Sequence, residues 1–381
     1  MIAYYRIEGC IKALTPFHIG TGTGEKKVLT KGNDAVLVGT IVKDRKKRPY
    51  FPGATLKGMV RSLLSELDDC EARSILGQIT NDNDGYMGRL LIAGAYVKTA
   101  IHDDSAPYSQ CYPKGSLYIT ARIAIDHESG AADDKKLFHN EMALPGLELD
   151  FEWRLRPDRG DSDAHNNVAK GVALLLGLQE ALKKGAYLGK SKSAGYGAFR
   201  LVEDLHITQV NVTDKGLDCV PFDYDTHKIT KIAAPSLAKQ KNVFLICEGP
   251  FLSLDSDPGA NQESNANELY AQKLSENPII PQSASIGVLR HRATDLQQGL
   301  RDVIHNPDAK VDSSLCLEEE LAKLSPVQRL FGVTGWASVV KLRAMRLEPL
   351  LDSFISVKMP GVTIDRFTGG PVHGALFFTQ P

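Results

Sequence analysis

The sequence has no apolar run approaching the roughly 20 residues a helix needs to span a bilayer. Its first residues, MIAYYRIEG, do not follow the cationic-then-apolar order of a secretion leader. The expected compartment is therefore cytoplasmic, with no membrane partner. Cys-x-x-Cys pairs are also absent. The 6 cysteines stand apart at Cys10, Cys70, Cys111, Cys219, Cys247 and Cys316. That spacing argues against a structural zinc site, and a disulfide framework is not expected without a leader. These cysteines are expected to be mostly small buried residues. No Walker A loop, dinucleotide fingerprint, metal-ligand spacing or clustered catalytic triad is found, which argues against a stand-alone metabolic enzyme or a nucleoside triphosphatase.

An excess of charge of one sign is missing as well. Lys and Arg total 45 against 46 Asp and Glu, for a formal net charge of −1. A polyanion-binding surface, if there is one, must be local. Two stretches qualify. Arg45, Lys46, Lys47 and Arg48 form a basic run, and Ala181 to Val202 carries Lys183, Lys184, Lys190, Lys192 and Arg200 with no acid.

At 381 residues the chain is long enough for two domains, and 43% apolar with 24% charged residues is ordinary for a folded protein. Internal similarity divides it. Pro16-Phe17 is echoed by Pro250-Phe251, FPGATLKGMVR from Phe51 by IPQSASIGVLR from Ile280, and IAIDHESG from Ile123 by VTIDRFTGG from Val362. The pairs keep their order at an offset of roughly 235 residues, the mark of a duplicated unit. The first copy is expected over residues 1–208, a linker over 209–240 and a second copy over 241–381. Little sequence follows the last repeated segment of the second copy. It is expected to be completed either by further chain or by another subunit.

Periodicity predicts the elements of the first copy. Strands are expected over Met1–Leu14, Arg89–Val97, Leu117–Ile125, Leu147–Leu155 and Ala198–Val202. A helix over Thr55–Leu67 would bury Leu56, Met59, Val60, Leu63 and Leu64, and a second would run over Asn167–Lys184 and end at Gly185. Gly20, Gly22 and Gly24 predict a flexible loop. The order is that of a ferredoxin-like (RRM-like) α+β domain with an insertion, in two tandem copies, the second incomplete.

Three places could carry chemistry. The turn from Tyr187 to Gly197 combines Gly189, Gly195 and Gly197 with Lys190, Ser191, Lys192 and Ser193. Its backbone N–H groups and cations suit a phosphodiester backbone. The helix start Pro52-Gly-Ala-Thr leaves backbone N–H groups open to an anion, with Lys57 and Arg61 one turn apart beside it. Ser283, Ser285, Arg290 and Arg292 take similar places in the second copy. Asp34 lies in the loop Lys31-Gly-Asn-Asp before an apolar run, and His18 precedes the first glycine segment.

The ordered set Phe17-His18-Ile19-Gly20, Pro52-Gly-Ala-Thr-Leu-Lys-Gly-Met-Val-Arg61, Ile125-Asp-His-Glu-Ser-Gly130 and Lys190-Ser-Lys-Ser-Ala-Gly-Tyr-Gly197 resembles the RAMP superfamily. Within that superfamily the pattern is similar to the backbone subunits of type III CRISPR effector complexes. The resemblance implies RAMP folds stacked along a guide RNA, with other RAMP-type and small subunits as partners and single-stranded target RNA paired to the guide. It implies a thumb hairpin, here between about Lys98 and Asn140, that pushes a base out of the duplex. It also implies an Asp that supports target cleavage with a divalent metal, Mg2+, leaving 2′,3′-cyclic phosphate and 5′-OH ends. Asp34 is the position that matches, as catalytic residue and metal ligand. In the second copy Asp255 and Asp257 are the candidates, at a different spacing from Pro281. RNA contacts are expected from His18, Lys57, Arg61, Lys190, Ser191, Lys192, Ser193, Arg290 and Arg292. Three alternatives remain open beside the target nuclease: a non-catalytic RNA-binding scaffold, a guide-precursor nuclease using His18 as base, and an unrelated metabolic enzyme.

Overall fold

The computed structural model describes residues 2–28, 35–79, 85–98, 117–122, 137–157, 164–224, 229, 268–270, 273–274, 277–278, 282–299, 309–312, 314–342, 359–364 and 371–380. In chain order the elements begin with strands β1 (Ile2–Ala13), β2 (Gly20–Lys27), β3 (Val36–Ile41) and β4 (Tyr50–Phe51). Helices α1 (Gly53–Leu67) and α2 (Asp69–Leu76) follow, then β5 (Gly77–Ile79), β6 (Gly85–Met87), β7 (Leu90–Val97), β8 (Leu117–Arg122), β9 (Phe138–Ala143) and β10 (Glu148–Leu155). Next come α3 (Ala164–Lys184), β11 (Ala186–Tyr187), a 3₁₀ turn (Lys192–Ala194), β12 (Ala198–Leu201), β13 (His206–Thr213) and β14 (Gly216–Pro221). The remainder carries β15 (Glu268–Tyr270), β16 (Lys273–Leu274), β17 (Asn277–Pro278), α4 (Gln282–Gln298), α5 (Leu317–Ala322), α6 (Pro326–Phe331), β18 (Met359–Ile364) and β19 (Pro371–Gln380).

The main sheet runs β11-β12-β1-β10-β7-β4 and is antiparallel at every pairing. Taken with the two long helices, β1-α1-β7-β10-α3-β12 is a βαββαβ unit with its sheet ordered fourth, first, third, second. That is the ferredoxin-like topology the sequence predicts. Alternation explains β10: Leu149, Phe151, Trp153 and Leu155 point to the core while Asp150 and Arg154 face out. Helix α1 buries Leu56, Val60 and Leu64, with Met59 and Leu63 packed at the edge of the same stripe. Helix α3 adds Val168, Val172, Leu175, Leu178 and Leu182 to this core. Gly185, at φ +114°, stops α3 where an L side chain would be strained.

A second sheet, β2-β3-β9-β8, is built from the two insertions that follow β1 and β7. Strand β8 and the start of β9 lie within the segment expected as a thumb. Residues 99–116 and 123–136 of that segment are outside the described residues.

The structure corrects three expectations. Gly20 to Gly24 is not a loop but part of β2, which pairs with β3 from Gly20↔Ile41 to Lys27↔Val36. Cross-strand hydrogen bonding outweighs the low strand preference of glycine here. The stretch from 209 does not begin as a linker. Strand β13 runs through position 208 and pairs with β1 from Ile2↔Asn211 to Glu8↔His206, and β14 pairs back on it. The cysteines are not mostly buried: Cys10 is, whereas Cys70, Cys219 and Cys316 are exposed.

In the remainder α4 falls on the segment that echoes α1, and β18 and β19 pair antiparallel. Among the described residues no helix is long and apolar enough to cross a membrane.

Candidate nucleic-acid interface

The turn between β11 and β12 is folded against the segment that leaves β1. Gly197 N–H donates to Pro16 O and Lys190 N–H to His18 O, at 2.8 and 2.9 Å. Thr15 Oγ1 donates to Gly195 O and accepts from Ala198 N–H. This closeness explains the glycines. A Cβ on Gly189 would stand 2.4 Å from His18 O, and one on Gly197 1.8 Å from Leu188 O, and both residues have positive φ. The structure therefore revises the reading of this turn. The N–H groups of Lys190, Ala194, Gly195 and Gly197 are occupied by protein carbonyls. Side chains of the turn, rather than these four amides, are the groups placed to meet a ligand.

Those side chains meet around a small hollow, too tight in this structure to admit a water molecule, lined by His18, Arg122, Asn140, Met142, Lys190 and Ser191. Arg122 ends β8, donates from Nη1 to Ser191 Oγ at 2.8 Å and lies 4.3 Å over the Tyr196 ring. Its buried Nε has no hydrogen-bond partner among the described residues. Lys190 is exposed and sits over Phe138. His18 is 5% exposed, and its Nδ1 lies 2.6 Å from Glu141 O. A carbonyl only accepts, so Nδ1 carries the proton. Burial, reinforced by the Lys190 and Arg122 charges, pulls the imidazole below its ordinary value despite the Glu141 hydrogen bond. The neutral ring therefore offers Nε2 as an acceptor at the pocket.

Beneath the pocket Glu141 is 4% exposed and ion-paired with both Lys27 and Lys43, the latter at 2.9 Å, and it accepts from Ile41 N–H at 3.1 Å. Burial alone would raise this carboxyl. The two ammonium groups and the amide outweigh it and hold the group below the usual carboxylate range.

The sequence-expected residues sort as follows. His18, Lys190 and Ser191 come together at the pocket. Lys192 is exposed on the 3₁₀ turn beside it. Ser193 lines a neighbouring hollow with Arg290, Phe331, Thr334 and Trp336. Arg290 lies on α4, which packs on the turn through Ile286 against Met142, Ala194 and Tyr196. Arg290 donates to Gly332 O at 3.1 Å, and Arg292, further along α4, reaches Asp295. Lys57 and Arg61 lie on α1, whose N-cap Pro52 makes no side-chain cap bond. Arg61 donates to Gly77 O at 3.0 Å, toward α2 and β5. Asp34, Asp255, Asp257 and the thumb tip fall outside the described residues. The strands flanking Asp34 do not: Lys27 and Val36 pair at the base of its loop.

Arg122, Asn140 and Glu141 were missed in the sequence. The available signal was a charge at the end of a strand-like run and an acid inside the apolar segment Phe138 to Leu144. Among the described residues no three His, Cys, Asp or Glu side chains could hold a metal ion. Arg122 and Lys190 crowd the pocket and Glu141 is already neutralised by lysines, so the described residues do not fit a metal.

A glycine-rich turn thus lies against the segment that leaves the first strand of an antiparallel βαββαβ sheet. The RAMP superfamily model matches residues 10–200, half of the chain, and the chain belongs to the RAMP superfamily. It is similar to the CRISPR system Cms endoribonuclease Csm3 of Methanocaldococcus jannaschii, 24% identical over 236 residues, covering 57% of this chain and 82% of that protein.

Proposed function

We propose that this chain is an RNA-binding backbone subunit of a type III CRISPR ribonucleoprotein, which holds a guide RNA and the target strand paired to it beside other RAMP-type and small subunits. One observation carries the reading: two cations, Arg122 and Lys190, converge with Ser191, Asn140 and the buried His18 on one pocket at the glycine turn. Donors of this kind suit phosphate and ribose oxygens. Membership of the superfamily and the likeness to an endoribonuclease named for a CRISPR system support it.

The finer proposal is that the assembly cuts target RNA through Asp34 with a divalent metal, Mg2+, leaving 2′,3′-cyclic phosphate and 5′-OH ends. Asp257 or Asp255 would be the counterpart in a second RAMP unit. The alternative is a non-catalytic scaffold.

One experiment separates the parts. In the purified assembly, Arg122→Ala with Lys190→Ala is expected to weaken RNA binding about tenfold or more, and Asp34→Ala to abolish one cut with binding intact. Binding unchanged by the double variant sinks the pocket. Uniform cutting by Asp34→Ala sinks that residue's role, and binding without any cut by the unaltered assembly in Mg2+ selects the scaffold.

A further inference from the structure

The basic run Arg45 to Arg48 plays no part in the pocket, yet it is built with care. It forms the turn between Lys43 and Pro49, which bridge each other. Asp44 holds the turn from inside: its Oδ1 accepts from the N–H of Lys46 and Arg48, and its Oδ2 takes Arg48 Nε and Nη2 at 2.9 and 2.8 Å. Arg48 Nη1 then ties the turn to Val97 O on β7 at 3.2 Å. Lys47 takes φ +60° to close it. Arg48 and Asp44 thus neutralise each other, and the exposed Arg45, Lys46 and Lys47 are left without an ion pair among the described residues.

Directly beside the turn two rings stack. Tyr50 follows it, and Tyr96 precedes the Val97 that anchors it. Their centroids are 5.3 Å apart with planes 1° from parallel, and Tyr96 is 48% exposed. A fixed cationic turn beside an exposed, buttressed ring is the pairing that binds a sugar-phosphate chain and stacks a base.

The sheet register relates this place to the pocket. Tyr187↔Ala198, Ala13↔Phe199, Lys12↔Glu148, Leu149↔Val97 and Tyr50↔Tyr96 form one row across the same end of the sheet. From β12 at the glycine turn to β4 at the cationic turn is four strand spacings, roughly 19 Å. An extended single strand covers that in a few nucleotides.

We propose that Arg45, Lys46 and Lys47 with the Tyr50–Tyr96 stack form a second subsite for single-stranded RNA, taking the phosphates and one base of the strand that leaves the His18–Lys190 pocket. The inference rests on the RNA-binding reading of that pocket, and its test keeps the two apart. The full chain is titrated with a dinucleotide, too short to span the two places, and with single-stranded RNA of about twelve nucleotides, within the span of known single-strand sites. One variant is Arg45→Ser with Lys46→Ser and Lys47→Gly, which keeps Asp44, Arg48 and the positive φ. The other is Tyr96→Leu. Each is expected to weaken the longer RNA at least fivefold and leave the shorter one unchanged, and Tyr96→Leu to abolish quenching of a 2-aminopurine placed toward that end. Arg122→Ala with Lys190→Ala is expected to weaken both lengths. Unchanged affinity of both turn variants for the longer RNA overturns the subsite, and so does an equal loss on both lengths. Should the pocket variant change nothing while the turn variants weaken only the longer RNA, the pocket fails and the subsite stands.

Discussion

Glu141 shows how one buried charge organises the second sheet. Its side chain joins β9 to the backbone of β3 at Ile41 and to Lys27 and Lys43, and its carbonyl fixes the tautomer of His18. Replacing it with Gln leaves Lys43 without a counter-charge and Lys27 with only the longer Glu25 contact at 3.9 Å. Those lysines keep some contact with water, at 29% and 28% side-chain exposure, so the loss falls short of that for a fully buried pair and is on the order of 2 kcal/mol. The pH dependence has a definite sign. The folded carboxyl titrates below its ordinary value of 4.5, so its contribution is full above that pH and is lost as the pH falls through the lower, folded value. Urea unfolding of the chain and Glu141→Gln is expected to differ at neutral pH and to converge as the pH is taken below the lowered, folded value. A gap constant across that range would mean that packing rather than charge is lost.

At the scale of elements, the glycine turn is held from two sides, by the Thr15–His18 segment and by α4. Ile286 is the apolar contact of α4 with Met142, Ala194 and Tyr196. Ile286→Asp would set an unpaired charge against that cluster, at a cost of about 1–3 kcal/mol to the contact. Faster amide hydrogen exchange is expected in Gly189 to Gly197, with α3 unchanged, and unaltered exchange in the turn would show that α4 does not support it. The elements legible in the sequence are those with one clean period. β10 and α1 each bury one face, and the pattern of 2 or 3.6 follows from that, whereas α3 is buried almost all round from 171 to 179 and was legible as a long apolar run. β2 was not legible, because a strand exposed along nearly its whole length has no buried face to alternate with, and three of its residues are glycine. β14 was missed for the same reason, being exposed throughout. The site was half legible. His18 and Lys190 lie in short motifs that local spacing marks. Arg122 and Glu141 gain their meaning from partners about 70 to 120 residues away, which no local pattern records.

For the whole molecule, a formal net charge of −1 gives no long-range attraction to RNA, so binding must be carried by the few cations that meet phosphates. Five exposed cations stand on the two turns: Lys190 and Lys192 on the glycine turn, Arg45, Lys46 and Lys47 on the other. Arg122 adds one at the pocket. Each phosphate neutralised on a single strand contributes about −0.7 to the slope of log affinity against log salt, so three to five contacts give a slope of about −2 to −3.5. Titrating a single-stranded RNA of about twelve nucleotides at several salt concentrations measures it. Loss of the Arg45–Lys47 cations should bring the slope toward the shallow end, because only the pocket side then remains. A slope near zero would place the affinity in stacking and neutral hydrogen bonds. A slope steeper than about −6 would require a broader basic surface than these turns provide, drawing on residues such as Lys57, Arg290 and Arg292 as well.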